Sequence, residues 1–190
     1  MDNQQNEIIT YKETWELSNI FIQSGLFPDV KSQAQAAVKI LAGKELGLSP
    51  FQSMRSIYFV NGRSALMADV KAYLLKQSKK YDYEIEKLDE TECVLKFFKI
   101  DKDKREEIGI SVFTFKDAAK AGLVNKDVWK AYPRNMLFSR ALSNGVSWYC
   151  PDAINGYSTL EEIATIPEPK PDLIEITKIG EVTSNGEKTI

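Results

Sequence analysis

Apolar residues return at helical spacing in the first third of the chain, at strand spacing in the middle, and at helical spacing again near residue 140. The spacing predicts a helix over 11–24 carrying Trp15, Ile20 and Phe21 and stopped at Gly25. A second helix is expected over 30–46, with Ala37, Ile40, Leu41 and the stem of Lys44 on one face and Gly47 just past its end. Ser49-Pro50 then reads as an N-cap followed by proline in the first turn, starting a short helix with Phe51, Met54 and Arg55. Asn61-Gly62 between two β-prone runs signals a hairpin, because a type I′ turn needs positive φ at both central residues. Residues 68–80 read as an amphipathic helix, with Val70, Tyr73 and Leu74 on one side and Lys71, Lys76 and Lys79 on others.

Three strands follow, over 81–88, 92–100 and 107–115, separated by charged turns that suit an antiparallel meander. Their half-buried faces are expected to carry Tyr83 and Ile85, then Val94 and Phe98, then Ile108, Ile110 and Val112. A short helix from Phe115 closes at Gly122, and Asp127 is placed to cap the element bearing Trp129. A long helix starts near Pro133, buries Met136, Leu137, Leu142 and Val146, and stops before Pro151. Trp148 and Tyr149 read as core. From 165 to 190 prolines alternate with charges and the last residues are small or polar, so this stretch is expected to be an extended or disordered tail. The expected architecture is α+β: a small antiparallel sheet, hairpin plus three-stranded meander, flanked by helices over 1–164.

Composition narrows the chemistry. No histidine occurs among the 190 residues, so Ser/His/Asp and Cys/His catalysis are excluded. No GxxxxGK[ST] motif is present, which argues against P-loop nucleotide chemistry. Cys93 and Cys150 are too few for a disulfide framework or a four-cysteine zinc site, and both read as reduced core residues. Asp101 with Asp103 is a weak candidate for a cation, and Glu161-Glu162 suits a helix start. The expectation is a non-enzymatic protein without a cofactor or metal. The polar N-terminus lacks a signal peptide's apolar run and no segment has the length of a membrane span, so a cytoplasmic location is expected.

The net charge of −2 is a sum of opposites. Residues 39–80 hold eight basic side chains against two acidic ones, and 116–140 hold six against two. Residues 81–115 and the chain after 152 are acidic. Segregation of this kind is the footprint of a nucleic-acid binder, although lysines also simply solvate helices. Aromatic residues interleave with the basic ones, as single-strand binders require for base stacking. The candidate DNA-binding set is Arg55, Tyr58, Arg63, Lys71, Lys76, Lys120, Lys126, Trp129, Lys130, Tyr132, Arg134 and Arg140. For Trp129 and Tyr132 a packed turn between helices is the competing reading, and for Arg63 a plain exposed turn.

Taken in order, Leu41-Ala-Gly-Lys-Glu-Leu-Gly-Leu-Ser-Pro-Phe-Gln-Ser-Met-Arg-Ser-Ile57, Asn61-Gly-Arg-Ser-Ala-Leu-Met-Ala-Asp-Val-Lys71 and Trp129-Lys-Ala-Tyr-Pro-Arg-Asn-Met-Leu137 resemble the phage RecT-like single-strand annealing proteins of the RecT/Redβ group. The resemblance runs from about residue 41 to 162. It implies an ATP-independent protein that binds single-stranded DNA, forms homo-oligomers and holds an annealed duplex intermediate during phage-type recombination in a bacterial host. A 5′→3′ exonuclease or a host single-strand-binding protein is the implied partner. By analogy the first helices would supply the subunit contact, with Trp15, Phe21 and Phe27 as candidates and core packing as the alternative. A non-annealing phage module that binds a host protein through the hairpin is the other reading of the chain.

Overall fold

The computed structural model describes residues 10–60, 62–102, 104–159 and Ile163. Helix α1 (Tyr11–Ser24) is opened by a capping box in which the Thr10 side chain accepts from the Glu13 N–H while the Glu13 carboxylate accepts from the Thr10 N–H. It ends at Gly25, at φ +67°, a conformation costly for any residue with a Cβ. Helix α2 (Gln33–Glu45) is capped by Ser32, and α3 (Pro50–Ser56) by Ser49 with Pro50 in its first turn. A Cβ at Gly43 would lie 1.8 Å from Ser53 Oγ, so glycine is what lets α2 and α3 close on each other. Val30, Ala36, Ile40 and Met54 form a small core here, with Phe21 and Phe27 packed edge to face at 5.5 Å beside it. The buried face of α2 is Ala36, Lys39, Ile40 and Gly43, displaced from the expected Ala37, Leu41 and Lys44. Two things turn it: the close approach at Gly43, and the Lys39 ammonium finding Asp29 at 2.7 Å. Phe21 and Phe27 are partly buried in this core, whereas Trp15 and Ile20 are exposed.

Strands β1 (Ile57–Val60) and β2 (Arg63–Leu66) form the expected antiparallel hairpin, Val60 opposite Arg63 and Ile57 opposite Leu66. Asn61 lies outside the described residues, and Gly62 has the positive φ that the turn demands. Helix α4 (Ala68–Gln77) leads into the meander of β3 (Tyr81–Leu88), β4 (Glu92–Asp101) and β5 (Lys104–Thr114). Helices α5 (Phe115–Lys120), α6 (Asp127–Ala131) and α7 (Pro133–Tyr149) follow, then a 3₁₀ turn Pro151–Ile154 and a two-residue strand β6 (Ser158–Thr159). The α+β class is as expected, but hairpin and meander belong to two different three-stranded sheets, since β6 adds in parallel to β2. The stretch 165–190 and the pair Glu161-Glu162 lie outside the described residues.

Helix α7 spans the meander and packs against β4, β5 and α4. Its Leu137, Ala141, Leu142 and Val146 meet Leu95 and Phe97 in the main core, to which Cys93 and Cys150 also belong. Two glycines set this packing: a Cβ at Gly145 would sit 2.1 Å from the Phe97 ring, and one at Gly109 would sit 2.3 Å from the Tyr149 ring. The Ser111 hydroxyl donates to the Ala141 carbonyl at 2.7 Å, tying β5 to α7.

Further expected faces are corrected. In β4 the inward residues are Cys93, Leu95 and Phe97, not Val94 and Phe98. The strand is apolar on both faces, so alternation alone cannot choose, and the slot beside Gly145 decides in favour of Phe97. Phe98 is covered from outside by the Arg105 guanidinium, 3.7 Å from the ring centre. Ile85, Ile110 and Val112 are about half exposed. In α4 the buried stripe is Lys71, Leu74 and Leu75, while Tyr73 faces outward. Trp148 is 59 % exposed rather than core, standing edge-on to the partly buried Tyr149. Asp127 is the first residue of α6 and makes no side-chain cap; Lys126 holds the cap position. Among the described residues no helix is long and apolar enough to cross a membrane.

Candidate nucleic-acid interface

The candidate residues divide into two groups on different elements. On the hairpin side, Arg55 is exposed in the last turn of α3, beside Asp69 and Tyr73, and Arg63 is exposed next to the turn. Tyr58 is half-buried, and the Lys39 ammonium lies 5.0 Å from its ring centre while bonded to Asp29. One ring face is therefore already occupied by a cation. Between α2 and β1 runs an apolar groove of about 420 Å³, lined by Val30, Ala34, Val38, Lys39, Tyr58 and Phe59.

The second group sits on α5, α6 and the start of α7. The Thr114 hydroxyl and N–H hold the Asp117 carboxylate at 2.6 and 3.0 Å, which fixes the first turn of α5 and keeps that carboxyl below its ordinary range. Lys120 is thereby carried exposed in the last turn, one helical turn beyond the exposed Lys116. Lys126 and Lys130 are exposed at either end of α6. Tyr132, 63 % exposed, stands at the junction where Pro133 forces a new helix to begin. Arg134 is exposed and reaches the Leu88 carbonyl at 3.5 Å, which locates this rim at the β3–β4 end of the meander.

The junction holds its shape because Trp129 is buried, only 2 % exposed, with its ring 6.3 Å from Phe113. Trp129 is thus a packing residue and offers no face to a base. Lys71 is fully buried and engaged within the protein, and Arg140, 8 % exposed, is also engaged in the interior of α7. Lys76 is exposed but bonds Asp82 at 2.6 Å and lies over the Tyr83 ring. Lys116 stands outside the candidate set, and its i, i+4 spacing from Lys120 is the signal that identifies it. Trp148 also stands outside it, because helical spacing assigns it to the buried face.

Electrostatics separates this rim from the outer face of the meander. There, Lys96 pairs with Glu86, Lys87 with Asp89 and Glu92, and Arg105 with Asp82 and Glu84. Burial opposes ionisation of Asp82, yet the bonds from Lys76 and the Tyr83 N–H, with the charge of Arg105, outweigh it and hold the carboxyl below its usual value. Among the described residues no carboxylate lies within 4.0 Å of a cationic nitrogen of Lys116, Lys120, Lys126 or Arg134, and Lys130 meets only the exposed Asp127, at 3.9 Å. Their charge is free to act on an external anion. No group of three or more candidate metal ligands gathers among the described residues; Asp103 lies outside them. Comparisons of the sequence with protein-family models and with curated proteins find no match.

Proposed function

We propose that the protein binds single-stranded DNA and pairs complementary strands without ATP, as a non-enzymatic, oligomeric recombination protein of the RecT-like phage type acting in the cytoplasm. The observation that carries this reading is the exposed rim of Lys120, Lys126, Lys130 and Arg134 around Tyr132, in which, among the described residues, only Lys130 has a carboxylate within 4.0 Å, the exposed Asp127. Cations of this kind neutralise phosphates without reading sequence, and an exposed tyrosine offers a stacking face to any base. Backbone contacts leave base edges free to test a second strand, and pairing itself supplies the free energy. Neighbouring subunits would lengthen the rim. An exonuclease that exposes single strands, or a host single-strand-binding protein, is the fitting partner.

The test is annealing of two complementary fluorescent oligonucleotides without ATP, across a salt series, with single-strand binding measured in parallel. Wild type should anneal well above the spontaneous rate and lose this as salt rises. The Lys126→Ala/Lys130→Ala/Arg134→Ala protein should bind more weakly on every sequence, with the log–log salt slope reduced by about 0.7 for each phosphate no longer neutralised. An unchanged slope overturns the site, and absence of wild-type binding at low salt overturns the function. In that case the apolar groove beside the hairpin favours the second reading, a module that binds a host protein.

A further inference from the structure

Between the end of α3 and the start of α4 lies a cleft of about 170 Å³. Leu48 and Ser56, both buried, close it beneath, and the partly exposed Met67 and Tyr73 give it an apolar wall. Arg55 and Asp69 share this cleft without pairing. No guanidinium nitrogen comes within 4.0 Å of the carboxylate, and among the described residues neither forms another ion pair. The Val70 N–H donates to one Asp69 oxygen at 2.9 Å, which steadies the carboxylate and leaves lone pairs for an outside donor. Gln52 is steadied in the same way: its side-chain oxygen accepts from the Ser49 N–H at 3.0 Å, so its NH₂ is the group left to donate into the cleft.

Building on the strand-binding reading, we infer that this cleft takes one base of the bound strand, adenine or cytosine in preference to thymine. Its size is below the roughly 300–1,000 Å³ of sites for larger organic ligands, which suits a single ring system. The amino group of the base donates to Asp69, the ring lies against Tyr73 and Met67, and exposed Arg55 meets the adjoining phosphate. Adenine and cytosine present an amino donor where thymine presents its O4 acceptor, and an acceptor set against a carboxylate finds no hydrogen bond. The ring carbonyl of cytosine also matches the Gln52 NH₂. The cationic rim treats all sequences alike; this cleft adds a preference among bases.

Anisotropy titrations of the full chain with oligo-dC and oligo-dT of equal length, at fixed salt, test this in wild type, Asp69→Ala and Arg55→Ala. Asp69→Ala removes a negative charge, so electrostatics alone would tighten binding to both strands equally. The inference requires a split: oligo-dC should weaken by at least about fivefold while oligo-dT holds or tightens. Arg55→Ala should weaken both and lower the log–log salt slope by about 0.7. Both side chains are exposed, so urea midpoints should stay at the wild-type value. Equal shifts on the two strands in Asp69→Ala overturn the inference, while single-strand binding by the rim stands. Free deoxycytidine monophosphate binding as tightly as oligo-dC overturns it too, and would assign the cleft to a free nucleotide. Wild type that binds neither strand at low salt overturns the strand-binding function and the inference with it.

Discussion

Gly145→Ala sets helix propensity directly against packing. In an exposed helix interior, alanine would stabilise the protein by about 0.8–1 kcal/mol over glycine. At 145 the new Cβ would stand 2.1 and 2.3 Å from Cε2 and Cζ of Phe97, far inside the 3.5–4.0 Å at which carbon atoms normally meet. Phe97 is fully buried, with Tyr83 at 6.3 Å and Tyr149 at 5.7 Å between ring centres, so a shift of its ring presses on these neighbours. Overpacking of this severity belongs at the upper end of the range of about 1–3 kcal/mol. After the propensity gain, a net loss of about 1–2 kcal/mol is expected. Urea denaturation should show a lower midpoint at unchanged m, and melting should fall by about 2–8 °C. Phe97→Leu in the Gly145→Ala background should cost less than the sum of the single changes, with a coupling of about 0.5–3 kcal/mol. A midpoint at or above wild type would mean the ring yields freely, and the account of the α7–β4 contact would be wrong.

Other expectations follow from the same geometry. Trp129→Ala should lose about 3–5 kcal/mol of stability, with DNA binding falling only as the folded fraction falls. Tyr132→Ala should stay within about 0.5 kcal/mol of wild-type stability while single-strand binding weakens by about 1–3 kcal/mol; paired denaturation and anisotropy measurements would expose the reverse pattern. Burial pushes the Cys93 thiol up to about 11 and, with Asp152 nearby, the Cys150 thiol up to about 12. For acids whose folded-state pKa is raised, the stability is fully present below the unfolded value of about 8.5 and is lost as pH rises towards the folded ones. Urea midpoints should therefore decline above that pH, less steeply in Cys150→Ala, and neither thiol should react with an aromatic disulfide reagent before unfolding. Asp117 shifts the other way, so the stability its cap supplies should hold above the usual carboxylate pKa of about 3.9 and vanish as pH falls through the lower folded value; Asp117→Ala should flatten that acid limb.

Local signals in the sequence place the elements from α1 to α7 in order. Thr10, Ser32 and Ser49 cap the first three helices, Gly25 and Gly122 end theirs, and Asn61-Gly62 places the hairpin, because each acts through its own backbone or a partner three residues away. What alternation cannot decide is the orientation of elements apolar on more than one side. The face of β4 depends on Gly109 and Gly145, glycines from elements distant in sequence that clear space for Phe97 and Tyr149. Buried Lys39 depends on Asp29, ten residues away across a turn. The candidate site shows the same division. Lys120, Lys126, Lys130 and Arg134 are exposed as charged residues ordinarily are, whereas Lys71, Trp129 and Arg140 lie inside for reasons only the packing reveals. Strand β6 escapes a sequence reading because two residues leave no periodicity to detect.

The small core beneath the first helices has a consequence for how the protein comes apart. Among the described residues Thr14 and Ser18 are the buried ones of α1, and four apolar side chains make up the core that it helps to cover, against eighteen in the main one. The free energy holding α1 down is a fraction of that holding α7, so the molecule should open in stages rather than all at once. Limited proteolysis should nick the loop after Gly25 while the meander stays intact, and the fragment from α2 onward should keep the cationic rim in place.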